Sequence, residues 1–298
     1  MTTIDATLRG AVAGAGDELT LTLDPALQGL PDTAHGGSVL ALFDLLAARG
    51  GPRTLRGHYH RRVPLGVPLS LTLTREPDAL ACRVAERGSG AVLVDGRVAA
   101  AGEAPPGVAS RDAPGVASRD APGVASRDAP GIDAEPLPVS RTCFACGVDN
   151  PLGLGARLTF DARSVGGAWT PRAGFRAADG RLASAALTTL LDETAFWLGA
   201  LATGESGMTT ELIVTLHGDA RVPGTVLVGG ERAAAQPRAG DARYWDTRVS
   251  ARDEAGRPLA TAAITFVAVR GAARRLVTGM LSLNPPDVVR RVFPAYCA

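Results

Sequence analysis

The chain has 298 residues, 46% of them hydrophobic, and a formal net charge of +1, which allows one large domain or two of ordinary size. Its positive charge comes from arginine alone, scattered among acidic residues, so no nucleic-acid partner is expected. The first ten residues lack the pattern of a signal peptide, and no apolar run reaches the roughly 18 residues of a membrane helix. We therefore expect a cytoplasmic protein that does not contact a membrane.

The first part of the chain combines one apolar helix with several strands. An early polar-apolar strand precedes the stretch "HGGSVLALFD", whose apolar residues cover every side of a predicted helix over residues 37–48. A helix that is apolar all round is typically buried. Alternating patterns and turn residues then predict strands near residues 53–62, 67–76, 79–88 and 91–101.

A tandem repeat separates this part from the rest of the chain. Between residues 106 and 129 the sequence "PGVASRDA" occurs three times, with too little apolar surface to offset the entropy of ordering it. We predict a flexible linker over residues 104–138, between a domain of residues 1–103 and a domain of residues 139–275. The tail, residues 276–298, is apolar enough to pack, either capping a substrate tunnel or joining two chains.

The second part repeats the pattern of the first. A long apolar helix is predicted over residues 183–201, followed by strands near residues 208–217, 224–233, 243–252 and 258–269. Short stretches also correspond, since "RVPLG" in the first part answers "RVPG" in the second. The repetition indicates an internal duplication and predicts two similar α+β halves packed as a pseudo-dimer.

Both predicted helices carry carboxylates among apolar residues. These are Asp44 in the first helix, and Asp192 with Glu193 in the second. Burial without a partner raises the pKa of a carboxyl group, and such an environment is typical of general bases and nucleophiles. Alternatively, an aspartate in a core helix only accepts hydrogen bonds from neighbouring backbone or faces the surface through a gap in the packing.

The start of the first helix offers a complementary feature. Gly36 and Gly37 expose backbone N–H groups at a helix amino terminus, where the helix dipole favours a developing oxyanion. His35 and Asp44 are nine residues apart, or roughly 13 Å along the helix axis, so they do not serve the same bound group. If two such helices lie antiparallel, the carboxylate of one half lies beside the glycine-rich helix start of the other.

Three stretches of the sequence together resemble a known family. They are "HGGSVLALFD", "CFACGVDNPLGLGARLTF" at residues 143–160 and "LLDETA" at residues 190–195. The first looks like the signature that opens the central helix of hotdog-fold thioesterases, and the other two resemble segments of some members of that family. The resemblance covers most of both halves, without the linker and the tail.

The resemblance implies two hotdog domains in tandem, each an antiparallel sheet wrapped around one long central helix. Such proteins act as dimers or as fused double-hotdog chains and hydrolyse acyl thioesters of coenzyme A or acyl carrier protein. No glycine-rich nucleotide-binding motif follows a predicted strand, so no cofactor is expected. A homodimer of double-hotdog chains is also compatible with the family. The expected partner is therefore an acyl-CoA or acyl-carrier-protein thioester.

Catalytic roles carry over to five matching positions. Gly37, with Gly36 nearby, would supply the oxyanion-binding amide, and Asp192 would be the general base or nucleophile. His35 would orient the helix start or contact the thioester. In the second half, residues 183–185 read Ala-Ser-Ala in place of His-Gly-Gly, so their pairing with Asp44 would form a degenerate second site.

Substrate contacts are expected from Glu193, Ser184, Thr188 and Thr194. The hydroxyl groups of the two threonines either position a water molecule or bond back to the helix backbone.

Two other functions remain open at this point. Hydratases of the same superfamily typically carry an Asp and a His together near the helix, a pattern that is not found in the sequence. A protein that binds an acyl thioester without turnover is the third possibility, because the second half lacks the glycines.

The cysteines indicate no metal site. Cys143 and Cys146 have the spacing of half a zinc site, but the remaining cysteines and histidines do not supply an obvious second pair of ligands. We therefore expect reduced structural cysteines in a turn.

Overall fold

The computed structural model describes residues 2–102, 130–131, 133–177, 179–222 and 224–297. Most of the predicted linker, residues 104–129 and residue 132, thus lies outside the described residues. The helices are α1 (Ile4–Gly10), α2 (Gly36–Ala47), α3 (Ser184–Thr203), α4 (Ala273–Leu281) and α5 (Pro286–Val292).

All of the described strands belong to one antiparallel sheet. The strands are β1 (Val12–Ala13), β2 (Glu18–Leu21), β3 (Arg53–Tyr59), β4 (Leu69–Arg75), β5 (Ala79–Glu86), β6 (Val92–Ala100), β7 (Glu135–Pro136), β8 (Thr159–Phe160), β9 (Ser164–Trp169), β10 (Gly207–Leu216), β11 (Val226–Glu231), β12 (Gln236–Arg238), β13 (Asp241–Asp253) and β14 (Pro258–Ala268). Their order is β1-β2-β4-β5-β6-β3-β10-β14-β13-β11-β9-β8-β7, and β12 pairs with β13. The first six strands of the chain therefore form one half of the sheet, and the later strands form the other.

The two halves of the sheet meet where β3 pairs with β10. Their antiparallel register runs from Arg53 opposite Leu216 to His58 opposite Glu211. Helix α2 packs on β3, β5 and β6, whereas α3 packs on strands from β9 to β14, and the two helices contact each other. Each half of the sheet thus covers one apolar helix, as the all-round apolar pattern predicts.

The predicted helices and strands are confirmed with small shifts at their ends. Helix α2 begins at Gly36 and α3 continues to Thr203, and the eight strands predicted after the two helices all form. The side chains of α2 from Val39 to Phe43 are at most 1% exposed, because the helix lies between the sheet and α3. The short helices α1, α4 and α5 are additions to the predicted elements.

The C-terminal residues pack against the rest of the molecule, as their apolar composition predicts. Val277 and Met280 of α4, Val289 of α5 and Phe293 are buried in the core. Earlier in the chain, Glu135–Pro136 of the predicted linker pairs with Thr159–Phe160. Among the described residues, no helix has the length and apolarity needed to cross a membrane.

Candidate active site

The amino end of α2 lies directly against the middle of α3. A Cβ atom at Gly37 would lie 2.6 Å from the Thr188 carbonyl oxygen and from the Thr189 Cα atom, so only glycine allows this approach. The Thr188 hydroxyl donates to the Gly37 carbonyl oxygen at 2.7 Å and links the helices. This close crossing brings the glycine-rich start of one helix to the carboxylates of the other.

Asp192 accepts hydrogen bonds on both carboxylate oxygens. The Gly37 N–H donates to Oδ2 at 2.9 Å, and the Thr209 hydroxyl donates to Oδ1 at 2.6 Å. His35 Nδ1 lies 3.1 Å from the same Oδ2. The structure therefore joins His35, Gly37 and Asp192, as the antiparallel arrangement predicts, but the amide of Gly37 is already bound to the carboxylate.

His35 bridges the two carboxylates of α3. Its Nε2 atom lies 3.5 Å from Glu193 Oε2, and Glu193 Oε1 accepts a hydrogen bond from Trp197 Nε1 at 2.9 Å. Burial by itself lowers the pKa of His35, but hydrogen bonds to Asp192 and Glu193 outweigh it and hold the pKa well above its ordinary value. The His35 ring thus lies between two carboxylates that favour its charged form, and its Nδ1 atom is also 3.2 Å from the Gly37 N–H.

Burial acts to raise the pKa of Asp192, but the hydrogen bond and charge of His35, with the donors Thr209 and Gly37, outweigh it and lower the pKa. The positive end of the α2 dipole favours the same ionised form. Asp192 is therefore a carboxylate held at a helix amino terminus, where it can accept a proton from a bound water molecule or attack an electrophile.

The Gly36 N–H remains available for a substrate oxygen. It is the first amide of α2, and no hydrogen bond is recorded for it within the part of the chain that the structure describes. The Tyr59 hydroxyl donates to the Gly36 carbonyl oxygen at 2.6 Å and fixes this peptide from the other side. Of the two glycines, Gly36 therefore has the amide without a partner in the described residues, since the Gly37 amide holds Asp192.

A cleft opens onto these groups. Its polar end contains His35, Asp192 and Glu193, and its apolar walls include Phe196 and Trp197. Leu276 and Met280 of α4 also line the cleft, so the C-terminal segment forms one of its walls. Arg61 and Arg62, both exposed, lie along the same cleft. The cleft therefore combines apolar walls, a polar end with three ionisable side chains and two cations.

The loop that contains Cys143 and Cys146 forms the wall of the cleft near the start of α2. The Phe144 N–H donates to the Gln28 carbonyl oxygen at 2.6 Å, which ties this loop to the segment before α2. Both cysteine side chains line the cleft and are buried. The cysteines are therefore part of the site itself.

Asp44 lies in a different environment. Its carboxylate forms a two-point ion pair with Arg53, with distances of 2.5 Å to Nε and 2.9 Å to Nη2, and Arg53 also contacts Asp219 at 3.1 Å. Asp44 lines a second cavity together with Ser184 and lies outside the walls of the main cleft. The structure thus separates Asp44 and Ser184 from His35 and Asp192.

The two threonines predicted to contact substrate do not reach the cleft. Thr188 and Thr194 are fully buried, and their hydroxyl groups donate to backbone carbonyl oxygens, that of Thr194 to Leu190 at 2.7 Å. Both hydroxyls thus bond to helix backbone, which is the second of the two roles considered for them. The physical reason is that Thr188 and Thr194 lie on faces of α3 that pack against protein, whereas Asp192, Glu193 and Phe196 face the cleft.

Sequence reasoning missed three residues that hold the site. They are Thr209, Tyr59 and Trp197. Trp197 lies four positions after Glu193 on one helix face, a spacing that would have identified the contact. Thr209 and Tyr59 come from two neighbouring strands, and nothing in the local sequence indicates that either meets the helix start.

Several solved structures are similar to this chain. A protein assigned as a thioesterase II from Thermobifida fusca YX is 17% identical with a TM-score of 0.60, and the match covers 91% of this chain and 100% of that one. A hotdog-fold protein of unknown function from Alicyclobacillus acidocaldarius is 15% identical with a TM-score of 0.56, covering 89% and 97%. An acyl-CoA thioesterase II from Mycobacterium marinum is 14% identical with a TM-score of 0.51, covering 87% and 96%.

The similar structures also include GphF dehydratase 1, which is 16% identical with a TM-score of 0.53 over 88% of this chain and 99% of that one. No family model matches the sequence, and no curated protein is significantly similar to it. Identities this low show the fold alone. The chain therefore has a hotdog fold, as the three sequence stretches predict, and its activity has to be argued from the site.

Proposed function

We propose that this protein is an acyl-thioester hydrolase built from two hotdog domains in tandem, with one working site per chain. The observation that carries the proposal is the Asp192 carboxylate, held by Gly37 and Thr209 at the amino end of α2 beside a free Gly36 amide. A carboxylate next to an oxyanion-binding amide suits attack on an acyl carbonyl. The mostly apolar cleft provides room for the acyl group.

The reaction follows from these positions. The thioester carbonyl oxygen accepts the Gly36 N–H, which stabilises the negative charge that develops on it. Asp192 accepts a proton from a water molecule as the water oxygen bonds to the carbonyl carbon. The tetrahedral intermediate then breaks its carbon–sulfur bond, and the proton held by Asp192 passes to the leaving thiolate. Direct attack by Asp192 on the carbonyl carbon is the alternative role of the same carboxylate.

The carrier of the acyl group is proposed to be coenzyme A. Arg61 and Arg62 lie exposed along the cleft, and no ion pair is recorded for either within the described part of the chain. Two adjacent guanidinium groups suit the phosphates of coenzyme A. Acyl-CoA is also what the Mycobacterium marinum thioesterase acts on by its name. An acidic carrier protein is the other outcome that the substrate test distinguishes.

The proposed domains comprise residues 1–103 and 139–275, joined by the repeat segment at residues 104–138. The strand order supports this division, because each stretch forms its own half of the sheet around its own helix. The pairing of β3 with β10 would then be the interface of the pseudo-dimer. The segment at residues 276–298 adds a wall to the cleft.

The experiment is thiol release from short, long and aromatic acyl-CoA thioesters, measured on wild type, Asp192→Asn and Asp44→Asn. We expect turnover by wild type and Asp44→Asn and none by Asp192→Asn, with all three proteins folded by circular dichroism. Loss of turnover in Asp44→Asn alone would contradict the assignment. Tight binding of acyl-CoA by wild type without any thiol release would support a binding protein instead.

A hydratase or dehydratase acting on acyl thioesters is the second candidate. The sequence displays no adjacent Asp and His, but the structure corrects this point, because His35 Nδ1 lies 3.1 Å from Asp192 Oδ2. GphF dehydratase 1 also has this fold. A change in the ultraviolet absorbance of 2-enoyl-CoA or 3-hydroxyacyl-CoA, without thiol release, would favour this function over hydrolysis.

A further inference from the structure

Three donor atoms of different chemical types converge beside Asp192. One ligand atom each from His35, Cys143 and Glu193 lie within 4.8 Å of one another, and all three residues are buried. The imidazole Nε2 and carboxylate Oε2 are 3.5 Å apart. Two ligands bound to one tetrahedral ion at about 2.0–2.1 Å are separated by slightly more than 3 Å, so this pair is already near the required spacing.

The cysteine loop is shaped to present sulfur. The Ala145 N–H donates to Cys143 Sγ at 3.3 Å, and the Gly147 N–H donates to the Cys143 carbonyl oxygen at 2.9 Å. A Cβ atom at Gly147 would lie 2.3 Å from that carbonyl oxygen, so the tight turn after Cys146 requires glycine. A backbone amide directed at a sulfur stabilises a thiolate, which is the form of cysteine that binds metals.

Cys146 follows Cys143 by three residues in the same loop, and both side chains are buried and line the cleft. In the structure Cys146 lies outside the group of three donors, and a change of its side-chain rotamer would let it supply a fourth ligand. Two cysteines and the carboxylate of Glu193 then surround one imidazole. Such a group of acidic donors in a buried place is stabilised by a divalent cation.

Two of the proposed metal ligands, His35 and Glu193, also contact groups that would orient them. His35 faces Glu193 with Nε2 and Asp192 with Nδ1, so a metal on Nε2 would leave Nδ1–H bound to a carboxylate. Trp197 donates to the other oxygen of Glu193 and fixes its orientation. Partners of this type orient metal-bound histidine and carboxylate ligands in proteins.

We propose that His35 Nε2, Cys143 Sγ and Glu193 Oε2, with Cys146 Sγ as the fourth ligand, bind one Zn²⁺ ion at the polar end of the cleft. Mixed sulfur, nitrogen and oxygen donors in a four-ligand set suit zinc better than harder divalent ions. The expectation of purely structural cysteines rested on the lack of a second ligand pair. The fold brings two further ligands to the cysteine loop, His35 before the start of α2 and Glu193 in the middle of α3.

The ion would act on the neighbouring catalytic groups. It would offset most of the negative charge of Glu193 and the thiolates, and it would hold His35 in the tautomer whose Nδ1–H faces Asp192. The site does not depend on the proposed hydrolase activity, because the ligands and their partners would bind the ion whatever substrate the cleft takes.

The test uses the full chain, reduced, stripped of metal and titrated with Co²⁺ and Zn²⁺. We expect one ion per chain by elemental analysis after dialysis, and a cobalt–thiolate charge-transfer band with visible bands of tetrahedral Co²⁺. Cys143→Ser and Glu193→Gln should each weaken binding by about tenfold or more. Cys297→Ser, which changes a buried cysteine outside the cleft, is the matched control and should bind like wild type.

Glu193→Gln is nearly isosteric and keeps an oxygen for Trp197, so it decides the question if Cys143→Ser does not fold. Absence of the charge-transfer band in the reduced wild type, or unchanged affinity in Glu193→Gln, would overturn the proposal. Equal loss of binding in Cys297→Ser would also overturn it. The titration needs no substrate, so its result is independent of the hydrolase assay. Zinc binding without thiol release would refute the hydrolase and leave the metal site supported. Thiol release without zinc binding would refute the metal site and leave the hydrolase supported.

Discussion

The ion pair of Asp44 with Arg53 predicts a specific effect on stability. Both side chains are at most 9% exposed, and the guanidinium donates to both carboxylate oxygens. Replacing Arg53 by methionine would leave Asp44 buried without this partner, and breaking a buried pair in this way costs about 3–5 kcal/mol. Asp44→Asn should cost less, because Arg53 keeps its contact with Asp219 at 3.1 Å.

The assay is urea denaturation of Arg53→Met, Asp44→Asn and the double variant, followed by circular dichroism. The double variant should be more stable than Arg53→Met, because it removes the stranded charge together with its former partner. Per folded molecule, all three should retain turnover. Additive losses of stability, or loss of turnover in Asp44→Asn with unchanged stability, would refute the structural role of Asp44 and return it to the catalytic candidates.

Three further outcomes are expected. Gly37→Ala should lower the free energy of unfolding by about 1–3 kcal/mol and reduce turnover, because its Cβ would push α2 away from α3. Gly10→Ala, whose Cβ would meet no atom within 4 Å, should do neither. Equal shifts of the melting temperature in the two variants would contradict this reasoning. Arg61→Gln with Arg62→Gln should raise KM for acyl-CoA roughly two- to thirtyfold with little change in kcat, but leave KM for a phosphate-free thioester unchanged. Cys82 should resist alkylation at pH 8 in the folded protein, because burial raises its pKa to about 12; rapid labelling by intact mass would refute it.

The secondary structure around the two helices was predictable because burial on both sides leaves a clear pattern. Helix α2 lies between sheet and helix, so its apolar residues run all round, and the strands alternate because one face of the sheet is covered. The meeting of His35 with Asp192 was also predictable, since it follows from two similar halves facing each other. The short helices α4 and α5 escaped prediction because each contributes only a few buried residues.

The contacts that complete the site were not predictable from local patterns. The loop at Cys143 reaches the α2 start through a backbone bond from Phe144 to Gln28, which are more than a hundred residues apart. Thr209 binds Asp192 because β10 packs against α3. Spacing rules for metal ligands consider residues that are close together in the sequence. By such rules Cys143 and Cys146 supply only two of the four ligands of a zinc site.

The two helix aspartates illustrate how similar sequence patterns lead to different chemistry. Asp44 has an arginine fixed on both oxygens, so neither oxygen is free for a substrate. Asp192 instead faces an imidazole, a hydroxyl and a helix amide, contacts that a substrate or a water molecule can displace one at a time. The difference lies in Arg53, which begins the strand after α2, while the strand after α3 brings Thr209 to its aspartate. One side chain from the neighbouring strand thus separates an ion-paired carboxylate from the one proposed to react.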